Sequence, residues 1–471
     1  MKKWIDDNKL VLSLILFSIA IGLFVLTFVK QDSDYLWHVK AGEYIFDNGI
    51  LKKDVFSWYL QGKYWMSHEW LFEVLIYGFS LLFPSFHIAI YSGFCILFLL
   101  LFLLLSNKKG YLKNINYSLI WIAWALILVF FVQARPHLLS FSFLAIAILV
   151  LYDLYCNEKS KKVYILPFIT VLWSNYHGGS SNLSYLFCFL FLFAGLFNFR
   201  FGKVESTRLK KNQLLRYFYV ACLCIVAVCI NVHGIKMLFY PYQNMLDTTM
   251  LNNIAEWQPT TLNKLSNYLY YLLLLFIIGT MLVSKKRIKF IDLLLLMVSC
   301  YLGIKSIRFW PYTYIIMSYV IFNYVEKRKL EKGTIKGIIL FSILLIFLFG
   351  MSFDRIKTNL KCKYLNDEVI NVIKKEKVQR LFNMYDYGGE LISNDVLVFI
   401  DGRADLYSKY NYKDYLKISK LEGDYVKLIK KYDFDYFLVD NKYPIYTYLK
   451  YSSNYETIYE NDKFTLYKKI G

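Results

Sequence analysis

Residues 10–38 read LVLSLILFSIAIGLFVLTFVKQDSDYLWH, an apolar run followed directly by acidic and aromatic residues. The run, residues 10–29, is long enough to cross a hydrocarbon core of roughly 30 Å as a helix. Further apolar runs occur at 86–105, 116–133, 137–155, 162–174, 181–199, 216–230, 266–284, 289–304, 308–325 and 336–353. This pattern predicts an all-α, multi-pass membrane protein with about eleven transmembrane helices.

The positions of lysine and arginine predict the orientation of these helices. Basic residues cluster in every second loop, at 2–9, 108–113, 159–162, 208–211, 285–287 and 327–329. Because short cytoplasmic loops carry the excess of lysine and arginine, we expect these loops and the N-terminus in the cytoplasm. The net charge of +20 therefore needs no nucleic-acid partner. All six histidines fall at the opposite, outward ends: His38, His68, His87, His137, His177 and His233.

The last part of the chain has a different pattern. We divide the chain into a membrane domain, residues 1–353, and a small extracytoplasmic α/β domain, residues 354–471. In this tail the pattern predicts helices at 366–377, 412–418 and 424–432. It also predicts a buried strand at 396–400 and further strands at 436–439, 455–459 and 464–468. More than a hundred residues are enough to bury a separate core.

The first outward loop, residues 30–69, holds the densest set of groups that could carry chemistry. Asp32 and Asp34 lie two residues apart at the end of a predicted membrane helix, and Glu69 closes the loop. One carboxylate could accept a proton while another orients a partner or holds a metal. The alternative is that these acidic residues only solvate a helix end. The amphipathic stretches 34–48 and 70–83 predict two interfacial helices, suited to a lipid substrate with a polar head.

Polar residues also mark other outward segments. They are Arg135, His177, His233, Glu256, Lys305 and Arg308. Cations on the outward side could bind a phosphate, because the arginine fork matches phosphate oxygens; they could instead extend to lipid headgroups or pair with Glu256. In the tail, Asp401, Arg403 and Asp405 follow the predicted strand at 396–400, and form either a ligand site or an ion-pair knot. His177 and His233 have no second ligand at helical spacing, and for each histidine singly we predict a structural, hydrogen-bonding role rather than metal binding.

Taken together, these segments resemble the GT-C class of multi-pass glycosyltransferases, which take a sugar from a polyprenyl phosphate carrier on the outer side of the membrane. The resemblance rests on the order of short motifs over nearly the whole chain: DSD at 32–34, DxxWH at 34–38, HEW at 68–70, RP at 135–136, NxHG at 175–178 and DGRxD at 401–405. The pattern is most similar to a poorly characterised bacterial branch of the class.

The resemblance implies a role for each of these residues. Asp34 would be the general base for inverting attack, and Asp32 and Glu69 would orient the acceptor or hold a divalent cation such as Mg²⁺ or Mn²⁺, which some members do without. Ser33 separates the two aspartates, unlike the adjacent acidic residues of some members, and leaves open which of them is the base; Asp34 is favoured because it abuts the aromatic segment. Cations would stabilise the leaving lipid phosphate: Arg135, Lys305 and Arg308. Substrate contact or orientation would fall to His38, His68, His177, His233, Glu256, Asp401 and Arg403.

The implied partners are the bilayer, a polyprenyl-phosphate-linked sugar donor, and a glycan, lipid or protein acceptor of the cell envelope. The tail would bind that acceptor or cap the active site. A transporter or flippase is the main alternative, but transport pathways usually place ionisable groups near mid-membrane. Here Asp153 and Asp292 lie near cytoplasmic ends of the predicted helices. A non-catalytic subunit of envelope polysaccharide assembly is the third possibility, and it predicts that Asp34 is dispensable.

Overall fold

The computed structural model describes residues 2–29, 32–106, 122, 125–127, 131–326, 332–360 and 364–470. The chain forms two compact units. The helical unit comprises Met1–Val29, Ile88–Pro241 and Ile254–Leu360, and the loop–tail unit comprises Lys30–His87, Tyr242–Asn253 and Lys361–Gly471. The predicted first outward loop therefore belongs to the same unit as the tail.

Helices form most of the described chain. In chain order they are α1 (Lys2–Val25), α2 (Ser33–Asn48), α3 (Trp70–Leu82), α4 (His87–Ser106), α5 (His137–Cys156), α6 (Leu166–Tyr176), α7 (Leu183–Gly195), α8 (Lys211–Cys229), α9 (Lys236–Leu246), α10 (Thr248–Asn253), α11 (Leu265–Val283), α12 (Phe290–Lys305), α13 (Trp310–Tyr324), α14 (Lys332–Met351), α15 (Phe353–Leu360), α16 (Asp367–Lys375), α17 (Gly388–Ser393), α18 (Ala404–Tyr407), α19 (Tyr412–Lys420), α20 (Tyr425–Tyr432) and α21 (Pro444–Lys450). Short 3-10 helices lie at Lys162–Ile165, Gly178–Ser180, Ala255–Trp257, Ile307–Phe309 and Tyr385–Tyr387.

Four helices among the described residues are long and apolar enough to cross a membrane, namely His137–Cys156, Gly178–Gly195, Lys211–Cys229 and Gly333–Met351. They fit a membrane location. Each other predicted run in the described residues also contains a helix, but some are short: α6 has 11 residues, or about 16 Å at 1.5 Å per residue. The run at 116–133 lies mostly outside the described residues. The count of about eleven spans stays a prediction.

The helical unit is organised around two buried helices. Most residues of α5 and α13 are buried, and the two helices pack together, with Tyr319 Oη donating to the Ala145 carbonyl at 3.1 Å. Helix α1 packs on α14, where the Phe17 and Phe341 rings stack at 5.9 Å. A small sheet pairs β1 (Phe199–Phe201) antiparallel to β2 (Val204–Ser206), and β2 parallel to β3 (Ile288–Lys289).

The loop–tail unit is built on a four-stranded sheet. Its strands are β4 (Leu381–Asn383), β5 (Tyr436–Asp440), β6 (Tyr455–Glu460) and β7 (Phe464–Lys469), in the order β4-β5-β7-β6, with β4 and β5 parallel and the other pairs antiparallel. One hydrophobic core includes Trp37 and Trp65 from the predicted loop together with Leu381 and Phe437 from the tail. Because this core draws on both segments, the loop and the tail are parts of one folded body.

The tail confirms most of the elements predicted from its sequence. The three predicted helices correspond to α16, α19 and α20, and the three late strands to β5, β6 and β7. The strand predicted at 396–400 is wrong in type. Four of its five residues are buried, but the segment forms only one isolated bridge, between Ser57 and Val398. The side-chain amide of Asn383 forms hydrogen bonds with the backbone of this segment instead. It accepts from Phe399 N at 2.9 Å and donates to the Ile400 carbonyl at 2.7 Å.

Candidate active site

Asp32 and Asp34 lie at the start of α2. Asp32 is the N-cap residue, and its Oδ1 accepts hydrogen bonds from Asp34 N at 3.1 Å and from Ser33 Oγ at 3.3 Å. Capping a helix in this way is a structural task for the Asp32 carboxylate. Asp34 is half-buried in the first turn, where the helix dipole favours a negative charge.

Two glycines of the tail lie directly against this helix start. A Cβ on residue 402 would overlap Asp34 Oδ1 and would stand 3.0 Å from Trp37 Nε1. A Cβ on residue 389 would likewise overlap the Ser33 carbonyl oxygen. The tail backbone thus approaches Ser33 and Asp34 closely enough that only glycine fits at either position.

A buried chain of imidazoles and carboxylates joins α2 to the start of α3. His38 Nε2 lies 3.6 Å from Glu69 Oε2, and His38 Nδ1 lies 3.4 Å from Glu73 Oε1. On the other side of Glu69, His68 Nε2 lies 3.2 Å from its Oε1. Burial by itself would lower the pKa of His68, but the negative charge of Glu69 and the hydrogen bond to it raise that pKa to about 9, with smaller contributions from Asp405 and the Met66 carbonyl. His68 is therefore an imidazolium at neutral pH.

The tail residues Asp401 and Arg403 form a buried ion-pair knot. Both side chains are fully buried. Arg403 Nη1 also donates to Asp54 of the first loop, and the guanidinium stacks over the Trp65 ring at 4.7 Å. Burial would lower the pKa of Arg403, but the charges of Asp401 and Asp54 raise it well above its usual value. Each charge in the knot thus has a partner, and the knot links the first loop to the tail.

Three acidic residues of this unit were not predicted as site residues. Asp54 holds Arg403, and Glu73 contacts His38 and accepts from Ser67 Oγ at 2.9 Å. Asp386 lies at the surface, and partial desolvation of its carboxyl, followed by the charges of Asp32 and Asp440, raises its pKa. Asp386 lies in the polar, glycine-containing cluster YDYGGE at 385–390, and this cluster is the sequence signal from which its role could have been predicted. No local pattern distinguishes Asp54 or Glu73.

In the helical unit, the structure brings two predicted cations to one carboxylate. Arg135 Nη1 lies 3.0 Å from Glu256 Oε1, and Arg308 Nη1 lies 3.9 Å from Glu256 Oε2. Arg308 also stacks over the Trp257 ring at 4.9 Å. Lys305 Nζ instead lies 5.7 Å from the centre of the Tyr301 ring. Two guanidinium groups facing a single carboxylate leave a net positive charge.

The predicted histidines of the helical unit lie in hydrogen-bonded turns. His177 Nδ1 lies 2.8 Å from Ser140 Oγ and 2.9 Å from Ser180 Oγ. The backbone N–H of His233 donates to Asn231 Oδ1 at 2.9 Å. Within the described ranges, no three His, Cys, Asp or Glu side chains converge as metal ligands. The part of the chain that the structure describes therefore does not fit a metal held by three protein ligands. We assign no step to Mg²⁺ or Mn²⁺.

No protein-family profile and no characterised protein sequence matches the chain. Solved structures do match it. The archaeal oligosaccharyltransferase AglB from Archaeoglobus fulgidus, in complex with an inhibitory peptide and a dolichol-phosphate, aligns over 99% of this chain and 75% of its own length, with 13% identity and a TM-score of 0.56. This chain has a GT-C-like fold. An apo oligosaccharyltransferase from the same organism aligns over 91% of the chain and 69% of its own length, with 12% identity and a TM-score of 0.49. The GT-C-like fold predicted from the motif order is confirmed.

Proposed function

We propose that this protein is a membrane glycosyltransferase. It would take a sugar from a polyprenyl-phosphate donor and transfer it to a glycan, lipid or protein of the cell envelope. The observation that carries the proposal is the combination of a GT-C-like fold with a half-buried Asp34 at the start of α2. The similar AglB structure holds a dolichol-phosphate, a lipid phosphate of the proposed chemical class.

Asp34 is the proposed general base. In the proposed step its carboxylate takes the proton of an acceptor hydroxyl while the hydroxyl oxygen attacks the anomeric carbon of the sugar. The bond from that carbon to the phosphate oxygen breaks, and the lipid phosphate leaves with the electron pair. Attack from the face opposite the leaving group inverts the configuration. The capping role of Asp32 supports the choice of Asp34, because the Asp32 carboxylate already accepts hydrogen bonds from Asp34 N and Ser33 Oγ.

We assign the leaving phosphate to Arg135 and Arg308. Their shared contact with Glu256 holds both guanidinium groups near one point. Preorganised cations of this kind stabilise developing negative charge on a leaving group. Lys305, packed on Tyr301, would contribute at longer range.

The remaining predicted residues take orienting roles in this proposal. Glu69, His38 and His68 would hold the acceptor through their buried chain. Asp401 and Arg403 would maintain the frame of the loop–tail unit. His177 and His233 would fix the turns in which they lie. The N-terminus would be cytoplasmic, and residues 30–69 and 354–471 would face outward, as the distribution of basic residues predicts.

A genetic experiment tests this function. Envelope glycans are compared between a strain lacking the gene and the same strain rescued by the intact protein, by Asp34→Asn or by Asp32→Asn. We expect the intact protein to restore a missing glycan and Asp34→Asn to fail although it inserts normally. Full rescue by Asp34→Asn would indicate a transporter or a non-catalytic subunit.

A further inference from the structure

We infer that Gly402 of the tail is a positioning residue for Asp34, so that the tail forms part of the catalytic machinery. The inference rests on the proposed role of Asp34 as the base. The contact between Gly402 and the Asp34 carboxylate does not depend on that role. Both residues belong to the loop–tail unit, although 368 positions separate them in the sequence.

A side chain at residue 402 is excluded by steric overlap with Asp34. Asp34 Oδ1 occupies the volume that a side chain on residue 402 would fill, and Trp37 Nε1 borders the same point at 3.0 Å. Trp37 is 5% exposed, and its indole N–H has no hydrogen-bond partner among the described residues. The Gly402 backbone therefore lies directly against the Asp34 carboxylate, beside the Trp37 ring. Any Cβ at residue 402 must displace the Asp34 carboxylate.

The same tail surface also contacts the backbone of α2. The Ser33 carbonyl lies where a Cβ of residue 389 would stand, and helices α2 and α17 pack on each other. The carboxylate of Asp34 and the peptide preceding it are thus both placed by tail glycines. Helix α2 could not rotate away from Gly402 without also breaking the contact at Gly389.

Hydrogen bonds fix the loop that carries Gly402. Its neighbours on both sides, Asp401 and Arg403, are joined by paired hydrogen bonds, and Asp54 holds the outer face of Arg403. Tyr385 Oη also donates to the Gly402 carbonyl at 3.1 Å. A loop fixed at the residue itself and at both neighbours can hold a carboxylate within the narrow limits that proton transfer requires.

A matched pair of glycine substitutions tests the inference. Gly402→Ala is compared with Gly78→Ala, since residue 78 lies in α3 of the same unit and a Cβ there meets nothing within 4 Å. With purified protein in liposomes and a polyprenyl-phosphate sugar donor, we expect Gly402→Ala to lower kcat at least tenfold and to leave the donor KM within twofold. Gly78→Ala should match the intact protein. An unchanged kcat in folded Gly402→Ala would overturn the inference.

A second measurement covers the case in which Gly402→Ala does not fold, and it does not depend on activity. The double variant Asp34→Cys with Gly402→Cys should form a disulfide under mild oxidation, because the two side chains would meet at bonding distance. Absence of that disulfide, with each single variant readily alkylated, would also overturn the inference. If Asp34→Asn proves fully active while the disulfide forms, the contact stands and the proposed function fails. If Asp34→Asn is inactive and folded Gly402→Ala is normal, only the positioning role fails.

Discussion

Arg403 binds Asp401 through two of its guanidinium nitrogens, with Nε 2.8 Å from Oδ1 and Nη2 2.6 Å from Oδ2. Both side chains are fully buried. Arg403 also binds Asp54, which lies 347 positions before Asp401 in the chain. Removing one member of a buried ion pair leaves an uncompensated charge. The knot therefore makes the folding of the first loop depend on the tail.

We expect Arg403→Ala to lower the free energy of unfolding of the loop–tail unit by about 3–5 kcal/mol. Arg380→Ala is the matched control, because Arg380 pairs with Asp433 and Asp435 in the same unit while 43% of its side chain is exposed. Its loss should cost less than about 1 kcal/mol. Denaturant titrations followed by tryptophan fluorescence would compare the two. Equal costs would contradict a structural role for the knot.

The Asn383 side chain provides residues 396–400 with hydrogen bonds that a neighbouring strand would otherwise provide. We expect Asn383→Ala to destabilise the loop–tail unit by roughly 2–3 kcal/mol, because it leaves the buried Phe399 N–H and Ile400 carbonyl each without a hydrogen bond that the structure provides. Asn394→Ala, in the same unit but with bonds only to neighbouring residues, is the control. A change in unfolding midpoint no larger than that of the control would show that the bridge is dispensable.

The pair of His68 and Glu69 makes stability depend on pH. Because the pKa of His68 is about 9 in the folded protein and 6.5 in the reference state, its pairing stabilises the fold fully below pH 6.5 and is lost as pH rises through 9. The contribution is of the order of 3 kcal/mol. We expect the thermal midpoint of the loop–tail unit to fall between pH 6.5 and 9.5. In Glu69→Gln this part of the decline should be much smaller, and an unaltered slope would count against the pairing.

Donor binding tests the assignment of Arg135 and Arg308 to the phosphate. We expect Arg308→Gln and Arg135→Gln each to weaken binding of the donor lipid about tenfold or more, as loss of a charge-assisted hydrogen bond does. Arg287→Gln, in a loop predicted to be cytoplasmic, should bind the donor as the intact protein does. Unchanged donor affinity and rate in Arg308→Gln would refute the assignment.

The sequence predicted local structure well because local structure follows short patterns. Apolar runs marked the long helices of the helical unit, and period-two and helical patterns marked β5, β6, β7 and α16. The segment 396–400 had the composition of a strand, but its partner is the Asn383 side chain, which no local pattern indicates.

Contacts between distant segments escaped prediction. Asp54 and Glu73 lie in unremarkable sequence. Asp54 acquires its role only when the first loop folds against the tail, and Glu73 acquires its role when α3 packs on α2. The glycine at 402 was part of a recognised motif, yet its contact with Asp34 depends on the folded unit. The order of the motifs was informative about the fold because the motifs extend over nearly the whole chain. The structural match to AglB also extends over nearly the whole chain.

The proposed role of Asp34 as the general base is tested by the kinetic effect of Asp34→Asn in purified protein. Sugar transfer from a polyprenyl-phosphate donor would be measured in liposomes for the intact protein, Asp34→Asn and Asp32→Asn. We expect Asp34→Asn to lose at least a hundredfold in kcat with donor affinity retained, as the loss of a general base predicts, and Asp32→Asn to retain most of its kcat. A kcat of Asp34→Asn within a few-fold of the intact protein would contradict this role.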